Sequence, residues 1–207
     1  MLSRLRLALQ GETGGKLGGH VEVDETFIGA KSRNMHADKR RRMGMSKGRG
    51  GLGKVAVMGL LERHGKDGHS TVRTEVLRDG LNKRVMHGKV RDHVETGANV
   101  YSDDFGSYRG LSADFVHGVI DHAERYVDGE VHTNGLENFW SLLKRAIKGT
   151  YVSVEPFHLF RYLDEQAYRF NHRKMTDASR FAHALKGILN KRLTYTALTG
   201  SELPQTC

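Results

Sequence analysis

Leu2, Leu5 and Leu9 fall on one helical face, and Gly11, Gly14, Gly15, Gly18 and Gly19 end that segment. From His20 to Ala30 the pattern changes to an alternation, with Val21 and Val23 and then Phe27 and Ile28, which predicts a strand. Lys54 to Arg63 (KVAVMGLLER) is a short, nearly continuous apolar run and predicts a buried strand. His64 to Gly68 reads as a turn, and Val72, Thr74 and Val76 alternate through a third strand from Thr71 to Leu77. Leu81 to Val94 suits a helix, with Val85, Val90 and Val94 roughly on one side. Asn99 to Ser102 is a short strand ending at Asp103, and Phe115 to Ile120 is another. From Gly135 to Lys148 the period becomes helical, with Leu136, Phe139, Trp140, Leu143 and Ile147 as the apolar stripe. Asn134 stands where an N-cap would, with Glu137 three residues later as in a capping box. A second helix is predicted from Pro156 to Phe170, with Leu159, Tyr162 and Leu163 inward. Thr176 to Leu198 is weakly helical, and the terminal TGSELPQTC reads as frayed.

The resulting order is strand, strand, strand, helix, strand, strand, helix, helix. It predicts an α/β fold: an RNase H-like mixed sheet flanked by helices, with three antiparallel strands followed by parallel additions. The expected organisation is a linker-helix remnant over 1–19, the RNase H-like domain over 20–175 and a helical tail over 176–207.

Charge sharpens this picture because it is local. The chain of 207 residues has a formal net charge of +9. Lys31, Arg33, Lys39, Arg40, Arg41, Arg42, Lys47, Arg49 and Lys54 stand against Asp38 alone, so residues 31–54 carry 9 − 1 = +8. Such a cluster attracts a phosphate backbone, and Gly48, Gly50, Gly51 and Gly53 let the main chain approach a duplex closely. Lys39, Arg40, Arg41, Arg42, Lys47 and Arg49 are therefore candidate DNA contacts, although such a run is ordinarily just a solvated surface. The one cysteine, Cys207, is terminal, which leaves no disulfide framework or cysteine zinc site and fits a reducing cytoplasm. No apolar run approaches the ~20 residues that span a bilayer.

The candidate chemistry lies in acidic residues. Asp24 sits within a strand, where a carboxylate is costly unless it is paired or binds metal. Glu22 shares its face by strand periodicity and Glu25 should point the other way. Asp103 is the first acid at the end of the strand VYS, and Asp104 is its runner-up; a turn role would explain either one. Glu137 lies 137 − 103 = 34 positions on from Asp103 and opens a helix on whose face Lys144 follows at i+7. A capping role alone would account for Glu137, and Asn134 is the alternative third ligand. Carboxylates are the hard oxygen donors that Mg²⁺ prefers. Trp140, the only tryptophan, reads as core. His117, His122 and His132 show no paired zinc spacing.

Taken together, GHVEVDETFIGAK, GLGKVAVMGLLER, VYSDDFGSYRGL, VIDHAERYV and HTNGLENFWSLLKRAIKGTYVSVEPFHLFRYLDEQAYRFNHRK resemble the ISXO-like DDE transposases of bacterial insertion sequences. The resemblance runs from about residue 3 to 195. It implies an RNase H-like catalytic domain that cuts DNA at element ends and joins them to target DNA. Two Mg²⁺ or Mn²⁺ ions would be held by Asp24, Asp103 and a third ligand, Glu137 or alternatively Asn134. Lys144 would be the basic residue that follows, with Arg145 beside it as a further DNA contact. It also implies DNA as partner, a homo-oligomer on DNA, no membrane association, and a place in the bacterial cytoplasm at the nucleoid. Relatives of this type carry an N-terminal DNA-binding region, and the opening MLSRLRLALQ reads as the end of the segment after it. The expectation is a chain lacking that region. The rival readings are an inactive remnant that only binds DNA and an RNase H-like nuclease that cleaves without joining.

Overall fold

The computed structural model describes residues 2–10, 14–29, 38, 54–65, 68–120, 131–152 and 154–199. Lys39, Arg40, Arg41, Arg42, Lys47 and Arg49 lie outside the described residues.

Five strands form one sheet: β1 (His20–Ile28), β2 (Val55–Arg63), β3 (Thr71–Leu77), β4 (Asn99–Asp103) and β5 (Val116–Ile120), in the spatial order β3-β2-β1-β4-β5. β1 pairs antiparallel with β2, and β2 with β3, whereas β4 runs parallel to both β1 and β5. Three antiparallel strands extended by two parallel ones make this an RNase H-like mixed sheet. The near-continuous apolar run of β2 is explained by its interior position, since Val57 to Leu61 are buried from both faces.

Helices cover the two faces. Helix α1 (Leu2–Ala8) precedes the sheet, and α2 (Lys83–His93) crosses from β3 to β4. Then come α3 (Asn134–Ala146), α4 (Leu159–Asn171), α5 (Asp177–Lys186) and α6 (Tyr195–Thr199). On one face, Val21 and Val23 of β1 pack with Met86 and Val90 of α2 and with Tyr108 and Leu111. On the other, Leu136, Phe139, Trp140 and Leu143 of α3 and Leu159 and Leu163 of α4 pack over Val57, Leu61 and Val72. Each fully buried leucine of that stripe contributes roughly 1.5–3 kcal/mol. Helix α1 docks on α4 through a buried ion pair, Arg6 Nε to Glu165 Oε2 at 2.9 Å. Among the described residues, no helix is long and apolar enough to cross a membrane.

Two local expectations are corrected. Asn134 is not the N-cap of α3: Thr133 holds that position and makes no side-chain capping bond. The role passes to a distant residue, because Glu22 Oε2 accepts from Leu136 N at 2.8 Å, a third-position amide of the helix. A carboxylate at a helix N-terminus also suits the helix dipole. At the other end, the regular helix stops at Ala146 and continues as a π-helical turn over Ile147–Tyr151, so the predicted end at Lys148 falls inside that turn. Likewise, the segment from Pro156 opens as a 3₁₀ turn to His158 before α4 begins.

Candidate carboxylate site

The parallel register of β1 and β4 fixes where two of the candidate acids stand. His20 pairs with Asn99, Val21 with Val100 and Glu22 with Tyr101, a constant offset of 99 − 20 = 79. Extending that offset brings Asp24 level with Asp103, since 103 − 24 = 79. Neighbouring strands lie about 4.8 Å apart, and residues in register share a face. Asp103 closes β4 and its Oδ1 accepts from Phe105 N at 3.1 Å, a local bond that turns the chain out of the sheet. Asp104 points to solvent, with Arg109 3.4 Å away.

Asp24 is held from above and beside. Trp140 Nε1 donates to Asp24 Oδ2 at 2.8 Å, and Glu25 N donates to Asp24 Oδ1 at 2.8 Å. The indole reaches the strand because the residue facing Asp24 across β2 is Gly59. A Cβ on Gly59 would meet Trp140 Cζ2 at 2.5 Å, Trp140 Cη2 at 2.7 Å and Leu136 Cδ2 at 2.9 Å. Trp140 is thus buried core, as the apolar stripe suggests, and its one polar atom is spent on the candidate ligand.

The same contacts bring Glu137 to the site. Helix α3 is tied to β1 at Glu22 through Leu136 and at Asp24 through Trp140. Two strand residues rise about 6.6 Å and four helical residues about 6 Å, so helix and strand run alongside in matching steps. Glu137 precedes Trp140 by three positions, one turn back on a neighbouring face. It is exposed, as are Asn134, Lys144 and Arg145. Lys144 lies two turns beyond Glu137, and Arg145 Nη2 approaches Ser141 Oγ at 3.5 Å.

Electrostatics link these acids. The Asp24 carboxyl is pushed up to about 6, chiefly by burial, with the negative charges of Asp103 and Glu137 adding to the effect and the Trp140 and Glu25 N–H bonds opposing it. On the other face of β1, Glu25 is pushed up to about 7 by burial, against the Tyr108 hydroxyl that donates to its Oε2 at 2.8 Å; Asp103 and Asp24 raise it further. Among the described residues, no Lys or Arg forms an ion pair with Asp24, Glu25 or Asp103. Nor, among them, are any three His, Cys, Asp or Glu side chains gathered closely enough to hold a metal ion as they stand. The structure therefore brings Asp24, Asp103 and Glu137 within reach of one another's charge without closing them into a ligand cage.

Glu22 is the acid whose environment the sequence did not reveal. It is 1% exposed and bonded to Arg63 Nε at 2.6 Å, with His132 Nδ1 at 3.4 Å. Arg63 also donates to the His132 carbonyl. Gly135 permits the approach, since a Cβ there would lie 2.8 Å from Glu22 Oε2. His132 thus belongs to this structural network, whereas His117 shares a 2.9 Å hydrogen bond with Ser102 Oγ. His122 lies outside the described residues.

The sequence model of the ISXO2-like transposase domain matches residues 16–171. No curated protein matches the chain. Among solved structures, one similar chain comes from the intasome of simian T-cell lymphotropic virus in complex with PP2A regulatory subunit B56 gamma. It shows 10% identity and a TM-score of 0.39 over 87% of this chain and 58% of that one. Another is the HTLV-2 integrase catalytic core domain in complex with magnesium, in a trimeric form, with 12% identity and a TM-score of 0.36 over 83% of this chain and 99% of that one. The chain thus spans 58% of the length of the intasome chain.

Proposed function

The chain belongs to the ISXO2-like transposase domain family, and from that membership we propose that it cleaves DNA and transfers the cut strand, with Asp24, Asp103 and Glu137 holding divalent metal. The observation that carries this reading is the convergence of three acids from β1, β4 and α3, where their charges repel and, among the described residues, no cation pairs with Asp24 or Asp103. Hard carboxylate oxygens in excess negative charge fit Mg²⁺ or Mn²⁺. When bound, a pair of such ions would supply a nucleophile at neutral pH and stabilise the leaving oxygen of a phosphodiester.

This chain's own residues do the rest. Asp24 presents its carboxylate in an orientation set by two N–H donors. Asp103, level with it on β4, offers the second oxygen donor from the end of a parallel strand, where ligands of open α/β sheets gather. Glu137 completes the set from α3. Asn134, exposed at the first turn, is the alternative third ligand. Lys144 and Arg145 meet DNA phosphates along the exposed side of α3, and Lys39, Arg40, Arg41, Arg42, Lys47 and Arg49 add electrostatic, sequence-independent affinity. In this reading the protein works on element ends and target DNA as a homo-oligomer, in the cytoplasm at the nucleoid.

Nicking of supercoiled plasmid with Mg²⁺ or Mn²⁺ tests the reading. Wild type should nick, and Asp24→Asn and Asp103→Asn should each abolish nicking while duplex binding persists. Nicking retained in either variant would remove that carboxylate from the site. Binding without nicking by wild type would favour a DNA-binding remnant, and nicking without joined products would favour a nuclease.

A further inference from the structure

Beside the carboxylate face lies a cleft of about 1550 Å³. Its walls come from the stretch 15–19, the start of β1, the end of β2, the start of β3 and residues 170–175 at the end of α4. Gly135 and Asn138 of α3 line one end, so the cleft opens next to the turn that carries Glu137.

Three of its cations are held by main-chain carbonyls, and a fourth lies against a histidine. Lys16 Nζ donates to Arg91 O at 2.6 Å, and Arg73 Nη2 donates to Gly14 O at 3.1 Å and Gly15 O at 2.6 Å. Arg173 Nη1 donates to Ser70 O at 3.1 Å and Phe170 O at 2.7 Å, while Lys174 Nζ lies 3.0 Å from His69 Nδ1. Among the described residues, none of the four forms an ion pair with a carboxylate. A carbonyl fixes a cation in place without cancelling its charge. Two of the acids lining the cleft are turned to internal work: Glu22 pairs with Arg63, and Glu62 accepts from Gly18 N at 2.8 Å. Burial lowers the pKa of the Arg73 guanidinium while the negative charge of Glu62 opposes that shift, and Glu95 stands exposed on the rim.

A concave surface lined by uncancelled cations concentrates field on an anion. A small anion would call for donors converging on one point. Here the cations come from three separate segments of the cleft wall, the stretch before β1, β3 and the end of α4, which suits a repeating anion. We propose that this cleft is a track for the backbone of a DNA duplex leading to the carboxylate site, with Lys16, Arg73, Arg173 and Lys174 as phosphate contacts. The proposal rests on the reading of that site as one that acts on DNA.

The test is made without divalent metal, so that no cleavage is required. Wild-type protein is pulse-acetylated with and without a mixed-sequence duplex, and lysine reactivity is read by mass spectrometry. Lys16 and Lys174 should be protected, and Lys83, outside the cleft lining and at the opposite end of α2 from the Arg91 carbonyl that holds Lys16, should not. In parallel, the salt dependence of duplex binding is measured for the Lys16→Gln/Lys174→Gln protein and for Lys83→Gln. Removing one cation that neutralises a phosphate lowers the slope of log K against log salt by about 0.9, so the double variant should fall by about 1.8 and Lys83→Gln not at all. Unchanged reactivity of Lys16 and Lys174 in wild type would overturn the track, and so would a wild-type slope in the folded double variant. The two readings fail separately. If Asp24→Asn still nicks plasmid, the catalytic assignment falls while the footprint stands. If nicking needs Asp24 and the lysines remain reactive, the track alone falls.

Discussion

Gly59→Ala isolates the contact that aims Asp24. The backbone at Gly59 is outside the left-handed region, so at an ordinary strand position an added methyl would help by about 0.5–1 kcal/mol. Here it would press on two indole carbons at 2.5 and 2.7 Å and on Leu136 at 2.9 Å. Overpacking of that kind costs about 1–3 kcal/mol. Moving the indole also lengthens the 2.8 Å bond to Asp24, and a hydrogen bond to a charged group contributes about 1.5–3 kcal/mol. The sign should therefore reverse, to a net loss of about 2 kcal/mol or more in urea unfolding. A double-mutant cycle with Trp140→Phe gives the sharper measurement. Phenylalanine lacks the two carbons that clash, so Gly59→Ala should cost less on that background, with a coupling energy of about 1–2 kcal/mol. Nicking should drop in both single variants because Asp24 loses its donor. Additive stabilities, or a Gly59→Ala protein as stable as wild type, would refute the argument that this glycine exists to admit the tryptophan.

Three further outcomes follow. Asp24 is held above its ordinary range, at about 6, so its burden on the fold is absent below about pH 4 and grows to about 3 kcal/mol as pH rises through 6. Asp24→Asn should thus gain stability relative to wild type across that window, and parallel pH profiles from urea melts would contradict it. Glu22→Gln removes the buried carboxylate charge that meets Arg63 Nε at 2.6 Å and caps α3, and should cost about 3–5 kcal/mol in the same melts; a loss under about 1 kcal/mol would mean that the charge of Glu22 adds little to the fold. Tyr108→Phe removes the donor to Glu25, which should raise the carboxyl of Glu25 further and cost about 1–2 kcal/mol above pH 7, seen in carboxyl titration by NMR and in melts.

The strands were legible because each carries its period or its continuous apolar run in its own residues. Thr71–Leu77 matches β3 end to end, and the alternation that put Glu22 and Asp24 opposite Glu25 is the alternation of the sheet. What escaped was every feature that depends on a partner far along the chain. Nothing local to α3 says that Glu22, 114 positions away, caps it, so Asn134 looked like the nearest suitable residue. Trp140 showed its apolar face in the helical stripe and concealed its donor. Gly59 read as one small residue in an apolar run, and the clue to its purpose, the position opposite Asp24, needs the register of β1 and β2. The basic cleft was also illegible, since Lys16, Arg73, Arg173 and Lys174 belong to no common charge run and meet only when the strand ends and α4 converge.

The two ties between α3 and β1 act like pins through two plates. One pin alone would let the helix swivel; two, at Leu136 and Trp140, fix both its angle and its lengthwise setting against the strand. Inserting a single residue between them would turn everything downstream by about 100° and leave at most one pin seated. Drift in length should therefore be tolerated beyond Ala146 and purged between Leu136 and Trp140, the interval in which Glu137 lies.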